Sequence, residues 1–77
     1  MEIFAPFAGI VHYRVRTGDP VTTGDILATV EAIKLEAAVA APGPGIVGKL
    51  ACEDFTDVSG GDMLLTLDEN TKKAEEA

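Results

Sequence analysis

Soft metal ligands are scarce in this 77-residue chain: one cysteine, Cys52, and one histidine, His12. A lone cysteine excludes an internal disulfide and fits a reducing setting, so a cytoplasmic location is expected. With only two such ligands, a zinc cluster is not expected either. Cations are also few, six Lys and Arg against thirteen Asp and Glu, for a net charge of -7. A nucleic-acid binder would carry a basic patch, and an anionic membrane surface would repel this balance. An acidic surface instead keeps a small protein soluble and can steer it toward basic faces on partners. No apolar run approaches the roughly 20 residues of a membrane helix. The first residues show no basic flank followed by an apolar stretch, so neither membrane insertion nor secretion is expected.

What is present is a hydrophobic fraction of 47%, which indicates a folded chain. The length suits one small domain with a regular core. The chain also repeats itself. "APFAGIV" at 5–11 is answered by "APGPGIV" at 41–47, an offset of 36 positions. "VTTGDILATV" at 21–30 is answered by "VSGGDMLLTL" at 58–67, an offset of 37. One extra residue near "ACEDFTD" accounts for the difference. Val, Ile, Leu and Thr dominate the runs, while Gly, Pro and Asp punctuate them, which is the pattern of short strands and turns. The longer strands are expected at 10–16, 26–32, 35–40, 46–51 and 63–67. No helical period with caps precedes residue 68. The expected fold is all-β, a flattened barrel or sandwich with pseudo-twofold symmetry. Residues 1–68 form the domain. Residues 69–77, within "DENTKKAEEA", read as a solvated, disordered tail, having no apolar side chain larger than alanine.

Lys34 stands out against this repeat. With the 37-residue offset, "VEAIK" at 30–34 corresponds to "LDENT" at 67–71, so the structural unit does without a lysine in its second use. Lys34 falls where the first copy hands over to the second, between two strand-like runs. That is the place of a hairpin tip. A tight hairpin turn ordinarily uses Asn-Gly or Asp-Gly because its central residues need positive φ. "AIKL" offers neither, so a tight turn here is expected to strain Ile33 and Lys34 by about 1–3 kcal/mol each. Exposed apolar neighbours, Ile33 and Leu35, suit a surface that another protein reads.

The stretch "EAIKLE" resembles the attachment motif of biotin carrier domains, usually Glu-Ala-Met-Lys-Met or a Leu variant. "APFAGIV", "GDPVTTGDILATVEAIKLE", "VAAPGPGIV" and "DVSGGDMLLTL" look like the rest of that domain, so the likeness spans residues 3–67. It implies two four-stranded antiparallel sheets related by a pseudodyad. It implies biotin bound covalently to the Lys34 ε-amine. Glu31, Ala32, Ile33, Leu35 and Glu36 would be the motif positions that a biotin protein ligase recognises. It further implies a non-catalytic carrier that shuttles a carboxyl group between biotin carboxylase and carboxyltransferase sites of an acyl-CoA carboxylase, transcarboxylase or decarboxylase. Both a free-standing subunit and a domain of a larger carboxylase fit. The motif departs from its family at Ile33, where Met is usual; Ile is apolar but β-branched and stiffer. Some carriers insert a protruding thumb in the first half, but here only "HYRVRTG" occupies that place, and no thumb is expected.

Two other classes compete. Lipoyl carriers of 2-oxo acid dehydrogenase-type complexes resemble biotin carriers in fold and duplication, but their lysine usually lies between Asp and Ala. The apolar pair around Lys34 matches the biotin type. A catalytic Schiff-base lysine would need a desolvating pocket, which a chain this short, with its lysine on a tip, does not readily build. Among the remaining residues, His12 and Tyr13 are expected to face solvent or an edge. Arg14 and Arg16 are expected on one strand face, Cys52 half-buried, and Gly9, Gly24, Gly45 and Gly61 at turns or close approaches.

Overall fold

In a computed structural model, which describes residues 1–68, the chain forms eight strands. They are β1 (Glu2–Phe4), β2 (Gly9–Tyr13), β3 (Pro20–Val21), β4 (Ile26–Glu31), β5 (Glu36–Ala40), β6 (Gly45–Leu50), β7 (Asp57–Val58) and β8 (Met63–Asp68). All pairings are antiparallel. One sheet has the order β1-β8-β6-β3 and the other β5-β4-β2-β7. The sheets stay open, so the molecule is a sandwich rather than a closed barrel. The expected tail at 69–77 lies outside the described residues.

The sequence repeat becomes a symmetry of topology. Replacing each strand by the one four places away converts the first sheet order into the second: β1 by β5, β8 by β4, β6 by β2, β3 by β7. The core obeys the same rule. Val11 and Val47, Val21 and Val58, Leu27 and Leu64, Ala28 and Leu65, and Val30 and Leu67 are buried pairs at the 36- or 37-residue offset. Each half supplies one sheet's inner face at its centre, and neither can bury that face alone. Complete burial of each Leu or Val contributes about 1.5–3 kcal/mol.

Strand alternation explains most of the burial pattern, and bulges explain the exceptions. Leu27 and Ala28 are consecutive yet both buried. The register of β4 on β5 slips between Ile26 and Ala28, which resets the phase of the pleat. β8 repeats this at Leu64 and Leu65, with slips in its pairings to β1 and β6.

The first long strand is shorter than expected. It stops at Tyr13 because the chain turns at Arg16, whose N–H donates to the Asp19 carboxylate at 2.8 Å. The Asp19 N–H returns to the Arg16 carbonyl at 3.0 Å. Arg14 and Arg16 therefore lie beyond β2 and share no strand face. Tyr13 corrects a second expectation: it is buried rather than facing solvent. The pleat that turns His12 outward turns Tyr13 inward, where its hydroxyl donates to the Leu64 carbonyl at 2.7 Å and accepts from the Cys52 N–H at 3.2 Å. Cys52 is half-buried, as expected.

Glycine serves the symmetry at Gly9 and Gly45. A Cβ on Gly9 would lie 2.6 Å from the Glu31 carbonyl oxygen, and one on Gly45 would lie 2.6 Å from that of Asp68. Both positions let two strands cross at the same closeness in the two halves. The Gly9 contact also sets β2 against the end of β4, where Lys34 follows.

Candidate functional site

The hairpin of β4 and β5 positions Lys34. Val30 pairs with Ala37 and Glu31 with Glu36 in continuous register up to the turn. Val30 is fully buried, so the core grips the hairpin just below its tip. The turn is closed by the Ala32 N–H, which donates to the Leu35 carbonyl at 2.7 Å. Ile33 and Lys34 occupy its two central positions. Ile33 is 99% exposed and Leu35 59% exposed, with Lys34 exposed between them.

The expected backbone strain is not there. Phe55, with φ of 62°, is the only non-glycine residue at positive φ among the described residues. Ile33 and Lys34 both keep negative φ, so the turn is neither of the two primed types. An ordinary backbone accommodates the β-branched Ile33. What distinguishes the tip is therefore exposure of apolar side chains, not stored strain.

The residues expected around the lysine are brought together as follows. Glu31 and Glu36 stand directly opposite each other and are exposed, a like-charged pair framing the base of the turn. Such pairs are mildly destabilising, so folding alone would not select this one. Ala32 is half-buried beneath the turn. Ile33 and Leu35 flank the amine on the outside.

Two residues that local sequence could not associate with the tip also reach it. Ile10 on β2 pairs with Glu31 on one side and with Asp57 of β7 on the other. Between this rung and the turn lies a groove of about 600 Å³, lined by Ala8, Gly9, Ile10, Glu31, Ala32, Ile33, Asp57 and Val58. Its lining is mostly apolar. Only the β2–β7 pairing, 47 positions apart in sequence, brings Asp57 here, which is why no motif announced it.

Chemically, the tip offers a primary amine open to solvent from every side that a hairpin end allows. It can form an amide with a carboxyl group delivered by another protein. The enclosing walls that a Schiff-base lysine requires are not those of an exposed turn. Among the described residues, no group of three or more His, Cys, Asp and Glu is placed to hold a metal ion. His12 is engaged with Phe55, their ring centroids 4.4 Å apart. No helix of the described residues is long and apolar enough to cross a membrane.

Comparison with known proteins agrees with this geometry. A family model described as "Biotin-requiring enzyme" matches residues 3–67. A single-chain, multi-domain long-chain acyl-CoA carboxylase contains a similar domain, with a TM-score of 0.82 and 25% identity over 95% of this chain and 8% of that one. An aspartoacylase family protein from Mesorhizobium loti gives 0.78 at 18% identity, over 86% of this chain and 22% of its own. An ectoine utilization protein from Ruegeria pomeroyi gives 0.78 at 21%, over 90% of this chain and 22% of its own. The latter two likenesses are of fold. The chain spans 8–22% of the length of these three proteins.

Proposed function

The chain belongs to the biotin/lipoyl attachment family and is a carrier domain of that type, and from that premise we propose that Lys34 carries biotin in amide linkage. The observation that carries this reading is the tip itself. One exposed lysine stands at the turn joining the two halves, between exposed Ile33 and Leu35, and the second half has no counterpart to it. A fold that needed the lysine would have used it twice.

The choice of biotin over lipoate rests on the flanking side chains. A ligase that reads Asp before the lysine finds Ile33, and one that reads an apolar pair finds both members. The carboxylase neighbour supports the same choice. The fit of the group to the residues is direct: an exposed primary amine on a rigid hairpin base held by Val30. The amine attacks the carbonyl carbon of an acyl-adenylate, the amide bond forms as the adenylate leaves, and the ligase takes the proton released.

When bound, the group supplies a ureido nitrogen able to accept and release a carboxyl. The chain's own work is positional. The paired strands hold the Lys34 Cα fixed while the long arm swings, which keeps the carried group at high effective concentration near two sites. The partners in this proposal are a biotin protein ligase and the biotin carboxylase and carboxyltransferase sites, in the cytoplasm, with the chain itself non-catalytic. Exposed Glu31 and Glu36 suit partners with basic rims.

Intact-mass analysis of the protein from its native host tests the reading, together with a streptavidin blot of wild type and Lys34→Ala. Biotin mass on the wild type and no signal from the variant are expected. A lipoyl increment, or biotin that survives the substitution, would overturn it.

A further inference from the structure

Beyond attachment, we propose that the groove beside the tip is a resting site for the head of the group that Lys34 carries. There Asp57 and Glu31 accept the ureido N–H donors while Ile10 and Ile33 pack against the rings. This rests on the biotin reading above.

The groove begins at the lysine's own neighbours. Ile33 and Ala32 form one wall, so an arm leaving Lys34 needs only to fold back over the turn to enter. Its volume, about 600 Å³, is in the range of small-molecule sites. Its floor is apolar and its rim acidic. Ile10 lies between two carboxylate-bearing partners, Asp57 on β7 and Glu31 on β4, within a single rung of the sheet. A bicyclic head with an apolar face and two N–H donors on one edge matches a floor of that kind between acceptors of that kind. A dithiolane head has no N–H to offer.

The duplicated fold provides an internal control. Positions required by the sandwich recur at the offset: Gly9 and Gly45, Ile10 and Ile46, Val58 and Val21. Glu31 recurs as Asp68, so an acid there serves the common scaffold as well. Asp57 does not recur. Its counterpart is Pro20, which also forms a two-residue edge strand and carries no acceptor on its side chain. In sequence, Ala32 and Ile33 correspond to Glu69 and Asn70. The apolar wall and the Asp57 carboxylate thus belong to the lysine-bearing sheet alone, Asp57 reaching it from the second half. Folding does not demand them; a ligand at that end would.

Docking would also cover Ile33 and Ile10, apolar side chains that otherwise face water at 99% and 36% exposure. Burial of the rings and of these side chains favours the docked arm, and a partner's active site must outcompete it. The arm would then be loosely parked rather than freely swinging.

The full chain, biotinylated on Lys34 and isotope-labelled, tests this by nuclear Overhauser contacts and amide shifts against the unmodified protein. Contacts from the ring methine protons to Ile10 and Ala8, with shifts at Gly9, Asp57 and Val58, are expected. In Asp57→Ala the docked-to-free ratio should fall about tenfold or more, the loss of one charge-assisted hydrogen bond. Asp57 is exposed, so this variant leaves the core intact. If Lys34 bears biotin but shifts stay confined to Ile33, Lys34 and Leu35, the groove proposal fails while the carrier reading stands. If intact mass shows no biotin on Lys34, both fail. If Asp57→Ala leaves the contacts unchanged, the assignment of the ureido partner is wrong.

Discussion

Phe55 takes in the second half the left-handed backbone position that Gly18 takes in the first. The two lie 37 residues apart, with φ of 62° and 96°. Gly24 and Gly61 form the matching pair at 92° and 90°. Three of these four positions use the residue that has no steric penalty there, and Phe55 does not. The residue is 63% exposed, and its ring packs tilted against that of His12, a contact that Gly18 cannot make. The stack offsets part of the backbone cost.

That offset is measurable. His12→Ala should cost about 0.5–1 kcal/mol in wild type and nothing in a Phe55→Gly background. Phe55→Gly itself should lie within about 1 kcal/mol of wild type, since relief of strain and loss of the stack oppose each other. A double-mutant cycle in urea decides it. Equal cost of His12→Ala in both backgrounds would show that the rings are neighbours without being partners.

The close crossings of Gly9 on Glu31 and Gly45 on Asp68 yield a second expectation. Alanine at either should destabilise by about 1–3 kcal/mol, because the obstructing atom is backbone and cannot swing aside. Gly43, with nothing within 4 Å of an added Cβ, should accept alanine at little cost. Thermal unfolding of the three variants checks the order. Gly9→Ala should in addition lower biotinylation, since it displaces Glu31 and the turn, whereas Gly45→Ala should leave it unchanged.

These glycines also show what the sequence could disclose. The repeat was legible because both halves must solve the same packing problem with the same residues, so Gly9, Gly45 and the paired Val and Leu positions return at a fixed offset. Lys34 was legible because it breaks that offset. The two-residue strands β3 and β7 carried no alternation to read, being held by neighbours rather than by their own composition. Tyr13 misled because a single polar atom suggests an edge, while the Leu64 carbonyl that satisfies it lies 51 positions away. Backbone strain at the tip was inferred from missing turn residues, but a two-residue turn can close on one hydrogen bond with negative φ throughout. The groove was illegible for the reason that Asp57 meets Ile10 only through the sheet.

Tyr13 makes stability fall at alkaline pH. Burial is the main cause that raises its phenol above the ordinary value of about 10, with the Cys52 backbone N–H donating to the hydroxyl acting in the opposite direction. The unfolded chain releases this proton first as pH rises. Above about pH 10 it therefore binds fewer protons than the folded state, and stability declines until the folded phenol also ionises. Tyr13→Phe should abolish that decline. At neutral pH the same variant should cost about 1–3 kcal/mol, because the Cys52 N–H loses its acceptor and the Leu64 carbonyl keeps only the Ala51 N–H. Urea unfolding at pH 7 and pH 10.5 separates the two effects; an undiminished alkaline slope in the variant would assign it to another group.

The last prediction concerns which ligase the tip admits. Ile33 is 99% exposed with an unstrained backbone, so replacing it changes what a partner touches and little else. Surface changes of this kind are usually within about 0.5 kcal/mol of neutral. Ile33→Met should speed biotinylation severalfold, because an unbranched thioether adapts to a ligase pocket that a β-branched chain fits in one rotamer. Ile33→Asp with Leu35→Ala should do the reverse. A charge at the first position would be buried unpaired in an apolar pocket, which costs enough to lower kcat/KM by about tenfold or more. The same pair of changes recreates the flanks that a lipoate ligase reads, so lipoylation of Lys34 should rise as biotinylation falls. Purified ligases and intact-mass readout give both rates on one protein. If the double variant kept its biotinylation rate, recognition would lie in the sandwich below the tip and not in the side chains beside the lysine.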